Sequence, residues 1–169
     1  MIMRVYFDNC IVSGEIRGDL VASEQTAVAE LRKLEIDGRI AILTSRESVR
    51  EQEHTGDIDT RRKLLEGTAA YPKVSRDHEL MGAQLCPDRN GGFVISPAFT
   101  DIVDPIRFAV FTTLGLKGAD ARHLMYAEAN ECHRFVTTDP DFFNVKDKLE
   151  SHCIHARIRR PSELLTELQ

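Results

Sequence analysis

Short apolar runs alternate along this chain with longer segments whose apolar residues recur at helical spacing. A run at residues 2–7 precedes a turn-like stretch at 13–19 and a helical pattern at 23–34, and a second run at 40–44 precedes a helix start at Ser45. Apolar runs without polar alternation are typical of parallel strands covered on both faces. The pattern therefore predicts an α/β fold, a three-layer α/β/α arrangement around a central parallel sheet of about five strands.

The second half of the chain continues this alternation after an interruption. Residues 71–98 contain several prolines and glycines and predict no regular element, only a turn at Asn90 and Gly91. Beyond them, a helix that begins at Asp104 and Pro105 is apolar on nearly all sides and is expected to be buried. Further elements are expected in this order: a helix from Asp120, a strand at 134–137, a helix at about 142–150, a strand at 154–158 and a helix from Pro161.

Composition and charge restrict the class of protein. A chain of 169 residues with 42% hydrophobic and 29% charged residues predicts a single domain over residues 1–169 with a core of its own. The formal net charge of -5 makes binding of nucleic acid through bulk charge unfavourable, so contact with RNA would need a local basic patch. Without a leader-like segment, a membrane-length apolar run or a C-x-x-C motif, we expect a cytoplasmic protein with reduced thiols and no membrane association.

Four acidic residues occupy special places in the predicted elements. Asp8 and Asp139 each come directly after an apolar strand, Glu51 lies six residues beyond the helix start at Ser45, and Asp120 opens a later helix. Taken singly, each has an ordinary structural explanation as a cap, a turn former or a surface residue. In an open α/β sheet, however, ligands collect at the carboxyl ends of the strands. We therefore expect the four acids to share one crevice there.

Crowded carboxylates repel one another, and a bound cation is the usual compensation. Ligand sets made only of oxygen suit Mg²⁺ or Mn²⁺, and these ions commonly serve phosphoryl chemistry. Asp8, Glu51, Asp120 and Asp139 are therefore predicted to be both metal ligands and catalytic residues. Asp141 is either an auxiliary metal ligand or a turn residue, and the turn is slightly favoured.

Neighbouring residues are candidates to support this site. Asn9 could hydrogen-bond a water at the metal, and Thr137 and Thr138 could orient the carboxylates. Arg46 and Arg50 are candidates to bind the substrate, although surface solubility explains them equally well. Base specificity is not encoded in any local motif.

The order and content of these motifs resemble those of the PIN-domain nucleases. The T-x-D-x-D-F pattern is the most specific of them, and together the motifs span most of the chain. The resemblance is carried by Val5-Tyr6-Phe7-Asp8, by Thr44-Ser45 with Glu51, by Asp120-Ala121-Arg122-His123-Leu124 with Ala127, by Val136 to Phe142 and by the ending Ile158 to Leu165. The chain departs from the family after the first acid, where Thr or Ser and then Asn are common and Asn9 and Cys10 stand here.

The resemblance implies a sheet with the strand order 3-2-1-4-5 and metal-dependent hydrolysis of single-stranded RNA that leaves a 5′-phosphate and a 3′-hydroxyl. It also implies a homodimer and a possible role as the toxin of a toxin-antitoxin pair, similar to the VapC toxins, with an antitoxin protein as partner. The first alternative is a catalytically inactive PIN-like module that binds RNA or protein. A phosphatase or another Mg²⁺ enzyme is a weaker alternative, because the first strand lacks the Asp-x-Asp arrangement of aspartyl-phosphate enzymes.

Overall fold

Four short parallel strands form the central sheet of the computed structural model, which describes residues 2–87 and 91–169. Helices connect them, so the structure is of the mixed α/β class that the sequence predicts. The elements in chain order are β1 (Met3–Phe7), α1 (Asn9–Arg17), α2 (Ala22–Ile36), β2 (Ile40–Leu43), α3 (Arg46–Glu53), α4 (Ile58–Ala69), β3 (Glu79–Pro87), β4 (Phe93–Thr100), α5 (Pro105–Thr113), α6 (Gly118–Ala129), β5 (Arg134–Val136), α7 (Pro140–Asn144), α8 (Lys146–His152), β6 (Arg157–Arg159) and α9 (Pro161–Leu168).

The sheet has the strand order β2-β1-β5-β6, and all three neighbouring pairs are parallel. It has four strands in the described part of the chain, so the expected count of about five is not confirmed. Next to β2, Lys73 forms a single parallel bridge with Thr44. Pro72 offers a carbonyl to the Thr44 N–H but has no N–H of its own, so the backbone accompanies β2 for only a few residues.

Apolar side chains leave the sheet on both faces. Tyr6 and Phe135 point into one core, which α5, α6, α7 and α8 help to form, while Phe7 and Val136 point into another, shared with α1, α2 and α9. Because successive strand residues point to opposite faces, a strand covered on both faces carries no polar alternation. This burial explains why the strands are continuous apolar runs in the sequence.

The stretch at residues 13–19, predicted as a turn, is mostly helical. Asp8 caps α1 by accepting a hydrogen bond from the Asn9 N–H, and the helix continues to Arg17. Ser13 is accommodated because its hydroxyl donates to the Asn9 carbonyl within the helix. Gly18 ends the helix with a φ of 71°. The prediction was wrong because local turn formers do not stop a helix whose opposite side packs in the core.

The later elements agree with the predictions in type but not always in extent. Asp104 caps α5 and Pro105 occupies its first turn, as expected. The expectation that this helix is buried all round is wrong, since Ile106 is 79% exposed. The helix expected at 142–150 is divided into α7 and α8, and the last strand is β6 rather than 154–158.

An antiparallel hairpin, β3 and β4, occupies much of the segment for which the sequence predicts no element. Its strands pair from Glu79 opposite Thr100 to Pro87 opposite Phe93. The predicted turn at Asn90 and Gly91 lies outside the described residues, because Asn90 is not among them. Prolines and small residues within the two strands hide the usual strand signal.

Acidic residues on either side of the hairpin attach its base to the body of the protein. The Asp77 carboxylate accepts a hydrogen bond from the Arg46 N–H, and Asp101 pairs with Arg50 at 2.6 Å. The Tyr126 hydroxyl also donates to the Asp101 carbonyl. Within residues 2–87 and 91–169, each helix is too short or too polar to cross a bilayer.

Candidate active site

A pocket of about 260 Å³ opens where β1 and β5 end and where α1, α3 and α6 come together. The four acids predicted from the sequence all line it, although they come from four separate parts of the chain. The lining residues are Asp8, Asn9, Cys10, Ser13, Arg17, Glu51, Gln52, Thr55, Asp120 and Asp139.

Asp8 is buried at the base of this pocket and held by three donors. Its Oδ1 accepts the Asn9 N–H at 2.7 Å, and its Oδ2 accepts the Thr137 hydroxyl at 2.8 Å and the Cys10 thiol at 3.2 Å. Burial raises the pKa of Asp8 above its usual value, although His123 and the hydrogen bonds from Thr137 and Cys10 oppose the rise. The orientation of this carboxylate is therefore set by the protein before any ligand binds.

Cys10 acts as a hydrogen-bonding residue in the site. Burial, followed by the charge of Asp8, raises the pKa of its thiol to about 12, so the thiol keeps its proton and can donate it to Asp8. The sulfur in turn accepts the Thr138 N–H at 3.4 Å and lies 3.5 Å from the Thr138 hydroxyl. Cys10 thus supports the first acid, in a position where the PIN-domain nucleases often have Asn.

The turn after β5 places the second strand-end acid. Asp139 caps α7, its own N–H donating to the Thr137 hydroxyl and its Oδ1 accepting the Asp141 N–H at 2.8 Å. Thr137 therefore contacts both strand-end acids, as its predicted orienting role requires. Asp141 pairs with the exposed Lys117 at 2.8 Å, as well as contributing its N–H to the turn.

A buried histidine holds Glu51. The Nε2 of His123 lies 2.7 Å from Glu51 Oε2 and 3.8 Å from Asp8 Oδ1, and its Nδ1 lies 2.7 Å from the Tyr6 hydroxyl. Tyr6 donates to Ser45, so both ring nitrogens of His123 can act as donors. Burial lowers the pKa of His123, but the hydrogen bond to Glu51 and the nearby carboxylates outweigh this effect and raise it. The ring is thus a cationic donor beside two acids.

Asp120 shows the repulsion among the acids most directly. Burial first, and then the charges of Asp8 and Asp139, raise its pKa from 3.8 to about 6. Asp120 lies in the first turn of α6, which starts at Gly118 rather than at Asp120 as predicted. His123, one turn further along, is on the same side of the helix.

The donor chemistry of the site fits a divalent cation that prefers oxygen. Asp120, Asp139 and Asp141 each offer a carboxylate oxygen within 4.8 Å of the others. Asp8 and Glu51 line the same pocket but engage Thr137 and His123. A cation here would reduce the repulsion that raises the pKa of Asp120.

The two arginines predicted to bind substrate lie outside the lining of this pocket. Arg46 is 3.7 Å from Asp77, and Arg50 pairs with Glu47 and Asp101. The arginine that does line the pocket is Arg17, near the end of α1.

Sequence patterns missed two residues that complete the site. Arg17 fell in the stretch predicted as a turn, so no local signal placed it near Asp8. His123 stands three residues after Asp120, and helical spacing could have placed the two side chains on one face. Asn9, predicted as a supporting residue, lines the pocket and accepts a hydrogen bond from Gln52 at 3.0 Å.

Comparisons of the chain with family models, with curated proteins and with solved structures found no match. The functional interpretation is therefore built on the geometry of the pocket and on the motifs in the sequence.

Proposed function

We propose that this protein is a Mg²⁺- or Mn²⁺-dependent ribonuclease of the PIN type that hydrolyses single-stranded RNA. The observation that carries the proposal is the convergence of Asp8, Glu51, Asp120 and Asp139 on one pocket at the carboxyl end of a parallel sheet. This is the edge at which open α/β sheets bind ligands. The strand order β2-β1-β5-β6 also supports a PIN-like arrangement, since it contains the order 2-1-4-5 of the four matching strands.

Asp120, Asp139 and Asp141 would hold the cation, with Asp8 and Glu51 close by for direct or water-mediated contacts. When bound, such a cation polarises the phosphodiester and lowers the pKa of the attacking water. Thr137 fixes the carboxylate of Asp8 and the backbone of Asp139, so the ligands are oriented in advance. His123 fixes Glu51 in the same way.

A basic path leads away from the acidic pocket. Arg17 lines both this pocket and a neighbouring one, which also includes Thr60 and Lys63. Phosphates on either side of the cleaved bond need positive partners, and the acids themselves repel them. We therefore favour Arg17 and Lys63 as RNA contacts over Arg46 and Arg50, whose guanidinium groups lie beside carboxylates.

The biological setting that we propose is a cytoplasmic toxin ribonuclease that works with an antitoxin protein. Its support is the order of the acidic motifs in the sequence, together with the pocket that they form.

The test is cleavage of an end-labelled single-stranded RNA in Mn²⁺ or Mg²⁺. We expect EDTA to abolish cleavage and Asp8→Asn to slow it by at least about 100-fold, because the neutral amide removes a charge from the metal site. Asp147→Asn, a matched substitution at an exposed position of α8, should cleave at the wild-type rate. Equal cleavage by wild type and Asp8→Asn would contradict the proposal, since a contaminating nuclease would then be its source.

One observation favours the alternative, a catalytically inactive PIN-like module that binds RNA or protein. His123 already supplies a positive group 2.7 Å from Glu51 and 3.8 Å from Asp8, which offsets part of the charge that a metal would neutralise. Calorimetric titration with Mn²⁺ separates the two functions. Absence of both Mn²⁺ binding and cleavage, with RNA binding retained, would favour the inactive module.

A further inference from the structure

The hairpin of β3 and β4 has one face that is apolar from base to tip. Cross-strand pairs alternate between its two faces, and a bulge between Leu80 and Gly82 brings Leu80 into step with this alternation. The first face, called here the apolar face, carries four pairs: Leu80 with Phe99, Ala83 with Pro97, Leu85 with Ile95, and Pro87 with Phe93. The opposite face includes the polar pairs Glu79 with Thr100 and Gln84 with Ser96.

Solvent reaches most of the apolar face in the described structure. The five large side chains on it are between 57% and 76% exposed: Leu80, Leu85, Phe93, Ile95 and Phe99. A two-stranded hairpin is marginally stable in water unless its apolar face is covered. Together these side chains expose on the order of 600 Å² of apolar surface, at the upper end of what a soluble monomer shows.

Pairing through the edges of the hairpin is disfavoured. Pro97 has no N–H, so its pair with Ala83 belongs to the class without direct hydrogen bonds, and its backbone nitrogen faces the outer edge of β4. Pro87, four residues beyond Ala83, interrupts the outer edge of β3 in the same way. The bulge near Leu80 is a further interruption of that edge. A partner would therefore cover the face rather than extend the sheet.

The charge distribution indicates what that partner is. Glu79 is the single charged residue among those of β3 and β4, and it belongs to the polar face. RNA would find no cation on the apolar face. Two copies of this chain carry a formal net charge of -5 each, so they can approach closely only through an uncharged surface. In a two-fold contact each residue lies near its own counterpart, and uncharged residues incur no repulsion there.

We propose that the apolar face is the interface through which two copies of this protein form a dimer. Two such faces would bury on the order of 1,200 Å² in total, the lower end of the range for specific interfaces. The pair of Leu85 and Ile95 lies near the middle of the face and would be the centre of the contact. The dimer does not require the acidic pocket to be active.

Sedimentation equilibrium on the full-length protein tests this interface. We expect wild type to dimerise, and the double variant Leu85→Glu with Ile95→Lys to raise the dimer dissociation constant by at least about 100-fold, because it buries charges in an apolar contact. The matched control, Gln84→Glu with Ser96→Lys, makes the same charge change at the adjacent pair on the opposite face. It should alter the dissociation constant by less than about threefold.

A milder variant guards against local unfolding of the hairpin. Phe93→Thr keeps a residue that favours strands and should still weaken the dimer, by about tenfold. A wild-type protein that stays monomeric up to about 100 µM, or a double variant that dimerises like wild type, would overturn the proposal. So would a monomeric wild type that floats with phosphatidylcholine vesicles when the double variant does not, because the face would then bind a membrane.

Discussion

Asp120 is the residue at which the crowding of the site has a measurable consequence. Its pKa is raised to about 6 by burial and then by the charges of Asp8 and Asp139. In the unfolded chain the same group titrates near 3.8, so the folded state binds more protons between these two values. The contribution of Asp120 to the free energy of unfolding therefore falls as the pH rises from about 4 to about 6, and it stays low above pH 6.

Asp120→Asn should accordingly stabilise the protein in the absence of metal. A shift of this size corresponds to at most about 3 kcal/mol, and screening by solvent reduces the expected gain to about 1 to 2 kcal/mol at pH 7.5. At pH 4 the gain should nearly vanish, because Asp120 is then neutral in the folded protein. Urea unfolding in EDTA at both pH values measures the difference, and an equal effect at both would contradict the electrostatic cause.

The same residue should be needed for function. Acids whose mutual repulsion destabilises a fold are a common feature of sites that bind cations or perform chemistry. A variant that is more stable yet no longer cleaves RNA would have this signature. The sequence could place Asp120 near a helix start, but its raised pKa depends on neighbours from β1 and from the turn after β5.

Buried carboxylates also join elements to one another, far from the pocket. Glu128 on α6 accepts backbone N–H groups from Ile154, His155 and Ala156 at 2.5 to 2.9 Å, in the loop that leads into β6. Glu24 on α2 does the same for Ser162, accepting its N–H and its hydroxyl at the start of α9. These contacts satisfy backbone donors that have no partner within a strand or a helix.

Glu128→Ala should lower the free energy of unfolding by about 3 kcal/mol, because it leaves several N–H groups without an acceptor in a buried place. Glu128→Gln should cost less, since the amide oxygen can still accept. Glu66→Ala, at an exposed position of α4, should change the stability by less than about 0.5 kcal/mol. Chemical denaturation measures all three variants, and an alanine variant as stable as Glu66→Ala would show that the loop finds other partners.

Local signals predicted the elements better than these long-range contacts. Ser45, Asp104 and Asp139 cap helices as their types and positions suggest. No pattern in the sequence pairs Glu128 with a loop 26 to 28 residues away. The exposure of α5 was missed for a similar reason, because apolar periodicity cannot show whether a covering element exists.

At the scale of the whole molecule, the hairpin and the sheet are distinct parts. The four-stranded sheet has apolar cores on both faces, whereas the hairpin exposes Leu85 and Ile95 by more than 70% each. Asp77 and Asp101 hold its base against α3. The stability of the body should therefore not depend on the strands of the hairpin.

Replacing residues 81–98 by Asn-Gly tests this independence. Leu80 and Phe99 are directly opposite each other, so a two-residue turn can join them. We expect the free energy of unfolding to change by less than about 1 kcal/mol. A loss of cooperative unfolding in a denaturant titration would show instead that the hairpin is part of the fold.

By itself, the sequence determined the α/β class, the positions of the main strands and the acids that follow them. These features depend on neighbouring residues, through apolar runs, caps and prolines that act within one or two turns of chain. Tertiary structure decided the rest: four strands in the sheet, Arg17 in the pocket, His123 against Glu51 and an uncovered apolar face on the hairpin. Each of these depends on which distant segments meet in space, and contacts across 72 or more residues, as between His123 and Glu51, leave no local pattern.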